Sequence, residues 1–160
     1  MKKQIYLSIV TIFILVSACK KNKSCFTPPE NLSFNFITTE SIDAFNSGLY
    51  NFDSLKIYYL DNSIKTSLNF DTISSMYANK KFYIFTSTSL NEKAWQDNKT
   101  TTFLFQFKAN KVDTLLIHCI TTTDNECTSV QYDTKKYNGR NIETTTNGQT
   151  PLKYSHQIVL

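Results

Sequence analysis

The chain has 160 residues, with 17 Lys and Arg against 13 Asp and Glu, and a formal net charge of +4. This length allows one domain with a substantial core. The lysines are scattered, whereas a nucleic-acid partner needs a basic stripe, so nucleic acid is excluded as a partner. Only three glycines occur, too few for a loop that binds phosphate through several glycines at fixed spacing.

The N-terminus carries the features of an export signal. A positive start, Met1–Lys3, precedes an apolar run of about a dozen residues, Ile5–Val16. A transmembrane helix needs roughly 20 apolar residues, so this run is short for a permanent anchor. It ends in Val16-Ser17-Ala18-Cys19, which resembles the lipobox of bacterial lipoproteins. The alternatives are an ordinary secretory signal and an uncleaved anchor.

The lipobox resemblance implies a processing route and a membrane partner. Residues 1–18 would be removed, and Cys19 would become the first residue and carry acyl chains, each buried methylene contributing about 0.8 kcal/mol to anchoring. Surface-displayed lipoproteins often carry acidic residues directly after this cysteine. Here Lys20, Lys21 and Lys23 follow instead. We therefore expect a lipid anchor in the bacterial outer membrane with the domain facing the periplasm, and the cell surface is the alternative.

The segment after Cys19 predicts a tether over residues 19–31, which ends in the stiff pair Pro28-Pro29. Apolar residues then alternate with polar ones, which predicts short strands. The predicted strands are Leu32–Phe36, Ser54–Asp61, Lys81–Ser87, Thr101–Lys108, Thr114–Ile120, Thr128–Tyr132 and Lys153–Leu160.

Turn and helix signals complete the prediction. Asn138-Gly139 predicts a hairpin turn, because both central residues of that turn need positive φ. Ser41–Asn46 and Asn91–Gln96 could each form one or two helical turns, capped by Ser41 and Asn91. The whole pattern predicts an all-β fold: one antiparallel β-sandwich, Ig- or transthyretin-like, of about seven or eight strands over residues 32–160. A small closed barrel is the alternative.

The mature chain would keep Cys25, Cys119 and Cys127, and an exported protein meets an oxidising compartment. A hairpin centred on Thr123 would place Cys119 opposite Cys127, at about 4.5–5.5 Å between Cα atoms, which suits a disulfide. We therefore predict a Cys119–Cys127 bridge. Cys25 pairing with one of these two, or no bridge, remains open.

A second resemblance spans most of the mature chain. The segments Cys25–Phe36, Gly48–Asn62 and the late cysteine strands before Tyr137-Asn138-Gly139 are similar to small lipoproteins of Bacteroidota bacteria. That resemblance implies a β-sandwich-like domain and no catalytic residues. Secreted proteins of this phylum are often O-glycosylated at Asp-Ser/Thr followed by an aliphatic residue. Ser54, Thr72 and Thr114 stand in such triplets and are the glycosylation candidates, unless the triplets simply begin strands.

The sequence carries no pattern for catalysis, and no cofactor or metal is expected. The chain lacks the metal-helix, nucleophile-elbow and phosphate-loop motifs. His118 and His156 fit buried or edge histidines within strands better than catalytic bases. Trp95, in a polar segment, is the candidate for stacking on a sugar. The sequence favours a non-catalytic binding or scaffolding module whose partner is an envelope protein or glycan. A surface ligand-binding lipoprotein is second, and a small envelope hydrolase is third.

Overall fold

In the computed structural model, which describes residues 25–95, 99–124, 127–142 and 155–160, the chain forms two β-sheets. The fold is all-β and sandwich-like, as predicted. Its strands are β1 (Cys25–Thr27), β2 (Ser33–Ile37), β3 (Lys56–Asp61), β4 (Ile64–Leu68), β5 (Asp71–Tyr77), β6 (Lys80–Thr86), β7 (Thr100–Lys108), β8 (Lys111–Asp124), β9 (Cys127–Tyr137), β10 (Arg140–Asn141) and β11 (His156–Val159).

Both sheets are mixed. The larger sheet has the order β1-β9-β8-β7-β3-β4, with β10 also paired to β9, and the smaller sheet has the order β11-β2-β6-β5. The pairs β1–β9 and β11–β2 are parallel. The prediction of a purely antiparallel sandwich was therefore wrong at these two edges. Parallel neighbours need a long connection, and these two pairs join segments that are far apart in the sequence.

The alternation that predicted the strands is confirmed where it was strongest. Phe103, Phe105 and Phe107 on β7 are all fully buried, and the residues between them are half-buried. Asn138 and Gly139 have φ angles of 47° and 80° and close the β9–β10 hairpin. The predicted strand count was too low. β4 and β5 were missed because nearly all of their residues are exposed, so neither strand shows a buried apolar face.

The helix begins three residues earlier than predicted. Helix α1 (Thr88–Ala94) is capped by Ser87, whose Oγ accepts a hydrogen bond from the Leu90 N–H at 3.1 Å. Asn91, predicted as the cap, is buried inside the helix, and its Oδ1 accepts from the Leu32 N–H at 2.7 Å. Residues 41–46 form turns in place of the second predicted helix.

Aromatic rings fill the space between the sheets. Phe36 on β2 lies 5.1 Å from Phe107 of the larger sheet and 5.5 Å from Phe85 of its own sheet, measured between ring centroids. Such edge-to-face contacts are the geometry that aromatic pairs prefer. The sandwich is thus held by large, fully buried rings contributed by both sheets.

The folded part of the chain begins before the predicted domain boundary. β1 lies inside the segment assigned to the tether and is paired with β9. Residues 28–32 then cross from the larger sheet to β2 of the smaller sheet. Residues 25–31, which the sequence analysis assigned to the tether, therefore belong to the folded domain.

Candidate functional site

The disulfide joins Cys25 to Cys127, and the predicted Cys119–Cys127 bridge was wrong. Cys25 and Cys127 are register partners in the parallel pair β1–β9, with their Cα atoms 4.6 Å apart. The β8–β9 hairpin turns after Asp124, which pairs with Cys127, and not at Thr123. This shift places Tyr132 opposite Cys119, whose buried thiol donates to the Ala94 carbonyl at 2.9 Å.

The bridge closes a long loop. The two cysteines are 102 residues apart, so the cross-link contributes on the order of 4 to 5 kcal/mol in the chain-entropy model. Both residues are exposed. The disulfide therefore ties the start of the domain to the tip of its longest hairpin.

A bulge in β9 changes which of its side chains face the interior. The register shifts between His118–Thr134 and Cys119–Tyr132, so Asp133 is the extra residue. Val130 and Tyr132 pair with inward-facing β8 residues before the bulge, and Lys135 and Tyr137 do so after it. The bulge therefore turns Lys135, an odd-numbered residue, toward the smaller sheet.

Lys135 is the centre of a polar group that joins the two sheets, here called the Lys135 network and comprising Glu30, Ser33, Lys135 and His156. The Lys135 Nζ lies 2.8 Å from Glu30 Oε1 and 2.9 Å from His156 Nε2. The His156 Nδ1 lies 3.2 Å from the Ser33 carbonyl oxygen. The network thus connects β9 of one sheet with β2 and β11 of the other.

His156 is neutral in this network. It is fully buried, and burial lowers its pKa to about 4, with the nearby Lys135 charge as the second cause. An ammonium group only donates, so His156 Nε2 accepts from Lys135 and Nδ1–H donates to Ser33. Because the imidazole is uncharged, its 3.7 Å approach to Glu30 is not an ion pair.

A cleft of about 290 Å³ opens beside this network. One wall is the crossing segment and the other is β9; the lining residues are Thr27, Pro28, Pro29, Glu30, Ser129, Val130, Gln131, Tyr132 and Lys135. A second depression of about 440 Å³ shares Tyr132 and Lys135 with it. Proline rings and a tyrosine ring beside amide and hydroxyl groups can hold a small polar ligand with an apolar face.

Trp95 packs behind the cleft and contacts Tyr132. It is half-buried against the core at the end of α1, and its Nε1–H donates to the Tyr132 hydroxyl at 2.9 Å. Burial raises the pKa of Tyr132, so the phenol keeps its proton. The indole N–H of Trp95 is thus engaged by Tyr132, and Tyr132, not Trp95, is among the residues that line the cleft.

The three glycosylation candidates lie at different depths. Thr72 on β5 is exposed, whereas Ser54 and Thr114 are half-buried. The Ser54 hydroxyl donates to the Asn51 carbonyl within a short 3-10 turn, Phe52–Ser54. Thr72 is therefore the most accessible of the three hydroxyls.

The two histidines take part in different polar contacts. His118, half-buried on β8, contacts Asp133 Oδ2 at 3.2 Å, and His156 lies within the Lys135 network. Across the part of the chain that the structure describes, no three His, Cys, Asp or Glu side chains come together to hold a metal ion. Within the same residues, no helix is long and apolar enough to span a membrane. Residues 1–24, which include Cys19 and the segment that resembles a lipobox, lie outside the described residues.

Comparisons with known proteins give no relative for this chain: no protein family, no curated protein and no solved structure matches it. Sequence reasoning identified His156 and the cysteines, but it missed Glu30 and Lys135. Lys135 carries no sequence signal, because its inward direction depends on the bulge at Asp133.

Proposed function

We propose that the protein is a lipoprotein of the bacterial cell envelope, anchored in the outer membrane by acyl chains on Cys19 and facing the periplasm. Its sandwich serves as a non-catalytic binding or scaffolding module for an envelope protein or glycan. The observation that carries the proposal is the Cys25–Cys127 disulfide. Such bonds persist in oxidising compartments, which agrees with the export signal in the sequence.

The position of the disulfide supports an anchoring role for the segment before it. Cys25 follows Cys19 by only six residues, which span at most about 20 Å when fully extended. In a domain held so close to its anchor, a covalent link at the start of the domain keeps this end from unfolding when the anchor segment moves. The parallel β1–β9 pair and the disulfide provide that link.

The Lys135 network supports a structural use of the buried polar groups. Lys135 and His156 contact each other across the space between the sheets, and Glu30 lies on the crossing segment. The buried His156 ring needs hydrogen-bond partners, and Lys135 and Ser33, which contact it, belong to two other strands. The contacts of this network hold the two sheets together, which agrees with a structural use of its polar groups.

Acylation is tested by mass spectrometry of the full chain expressed in a bacterial host with lipoprotein processing. We expect the wild-type protein to begin at Cys19, to carry acyl mass and to sediment with membranes. Cys19→Ala should lose all three properties. The matched control Cys25→Ser removes a different cysteine and should keep them. A Cys19→Ala protein that is processed and membrane-bound would overturn the proposal.

The periplasmic orientation has a separate test. Protease added to intact cells should leave the domain uncut, and cleavage should follow permeabilisation of the outer membrane. Cleavage in intact cells would place the domain on the cell surface and overturn this part of the proposal.

Ligand binding at the cleft is the second candidate function, and the observation that favours it is the wall formed by Tyr132 and exposed Gln131. Glycan-array or calorimetric binding should then be lost in Gln131→Ala. Gln106→Ala, on the half-exposed face of β7, is the matched control and should bind normally. Absence of binding across glycans would remove glycans as the ligand.

A further inference from the structure

β5 is an edge strand of unusual length for this molecule. It has seven residues, and all seven pair with β6 on one side. Among the described residues, no strand pairs with its other side. The remaining edge strands are shorter: β1 has three residues, β10 two, β11 four and β4 five. β5 therefore presents the longest row of outward backbone groups in the described part of the chain.

β5 also lacks the features that normally prevent edge pairing. Proteins protect edges with lysines, prolines or bulges, and β4 carries Lys65. From Thr72 to Tyr77, β5 has no charge and no proline, and its register with β6 is unbroken. Three large apolar residues on it are exposed: Ile73 by 48%, Met76 by 60% and Tyr77 by 45%.

On one face of the smaller sheet, β5 residues lie next to an apolar cluster of β2 and β6. Ile73 is the register partner of Ile84, and Ser75 is the partner of Phe82. Ile84 and Phe82 are buried and pack with Ile37 in a cluster separate from the main core. A strand added beside β5 would therefore cover Ile73 next to a cluster that is already apolar.

The charges at the ends of β5 favour a second copy of the chain as the added strand. Asp71 lies at one end, and Lys80 pairs with Tyr77 at the other. An antiparallel arrangement about a two-fold axis at Ser75 brings the Asp71 end of each β5 to the β5–β6 turn of the other copy, the turn that leads into Lys80. The same register sets Ile73 opposite Tyr77 twice, and such pairs of a β-branched and an aromatic residue stabilise sheets.

We infer that β5 pairs antiparallel with β5 of a second copy, with Ser75 opposite Ser75, and joins the two smaller sheets into one. The interface is isologous, as in most homodimers. The inference does not depend on acylation, because it uses only residues of the folded domain.

Disulfide cross-linking of the full chain in membranes tests the inference. Directly opposed residues have Cα atoms about 4.5–5.5 Å apart, within the range that a disulfide accepts. Ser75→Cys should give a covalent dimer on a non-reducing gel after mild oxidation. Wild type and Ser67→Cys, an exposed serine on the β4 edge, are the controls and should remain monomeric.

A second change tests whether the cross-link reports pairing of the β5 edges. Ile73→Lys in the Ser75→Cys background places a charge opposite Tyr77 and should reduce the dimer yield at least several-fold. Ile64→Lys, at an exposed isoleucine on β4, should leave the yield unchanged. The inference is overturned if Ser75→Cys cross-links no better than Ser67→Cys, or if Ile73→Lys leaves the yield intact.

Discussion

His156 is a buried imidazole held between a donor and an acceptor that belong to different strands. Its Nε2 faces the Lys135 ammonium and its Nδ1 faces the Ser33 carbonyl. Protonation would place a positive charge on a fully buried ring, 2.9 Å from the Lys135 ammonium. The folded protein therefore resists this proton, and the unfolded chain accepts it at the ordinary pKa.

This difference predicts a loss of stability in mild acid. The pKa of His156 is about 4 in the folded state, against an ordinary value of 6.5 for the unfolded chain. Its contribution to the free energy of unfolding is therefore fully present above pH 6.5 and falls as the pH drops to about 4. The difference between the two pKa values corresponds to roughly 3 kcal/mol.

Urea unfolding of wild type and His156→Gln at several pH values between 7.5 and 4 measures this contribution. Glutamine keeps a side-chain oxygen that can accept from Lys135 but cannot be protonated in this range. We expect the wild type to lose more stability than the variant over this interval. Equal losses in both proteins would contradict the assigned neutral state of His156.

At the scale of elements, the bulge in β9 decides which residues reach the interior. Asp133 has no register partner on β8, whereas its neighbours Tyr132 and Thr134 pair with Cys119 and His118. Removing Asp133 would leave every other register pair in place and keep Tyr132 and Lys135 directed inward. The deletion would remove the interaction of the Asp133 carboxylate with the His118 ring, which lie 3.2 Å apart at the surface of the sheet.

Deletion of Asp133 should therefore lower the free energy of unfolding by less than about 1 kcal/mol, which is the upper range for an exposed ion pair. Deletion of Gln131, two residues earlier on the same strand, is the matched control. Deleting Gln131 either turns the Tyr132 side chain to the other face of the sheet or shifts Cys127 away from its partner Asp124. The free energy of unfolding should therefore fall several times more than on deletion of Asp133. Chemical denaturation of both deletions measures the difference. Equal costs would show that β9 tolerates a register change, contrary to this account.

Elements could be predicted from the sequence where a single local pattern, such as alternation or a turn motif, determines the structure. Phe103, Phe105 and Phe107 share one face of a regular strand, and Asn138-Gly139 meets the φ requirement of its turn. The partner of Cys127 depended on contacts over 102 residues and on the position of a hairpin turn. Lys135 depended on one extra residue in β9. Alternation rules assume a constant phase, so they cannot locate such residues.

At the scale of the whole molecule, the disulfide fixes which end of the sandwich is nearest to the segment that precedes Cys25. Cys127 pairs with Asp124 at the tip of the β8–β9 hairpin and is bonded to Cys25. β8 runs from this tip to the opposite turn, and Lys111 is twelve residues from Thr123. At about 3.3 Å per residue, these ends are roughly 40 Å apart.

With the lipid anchor proposed at Cys19, the tip of the β8–β9 hairpin should therefore lie next to the membrane. Energy transfer from a fluorophore at Thr123→Cys to an acceptor in the vesicle headgroups should be strong, because six residues limit the separation of Cys25 from Cys19 to about 20 Å. The same fluorophore at Asn110→Cys, an exposed position in the opposite turn, should transfer weakly. Equal transfer from both sites, or stronger transfer from Asn110→Cys, would contradict this orientation. The disulfide and the short segment between Cys19 and Cys25 hold the hairpin tip close to the bilayer, so the opposite turn should lie far from it.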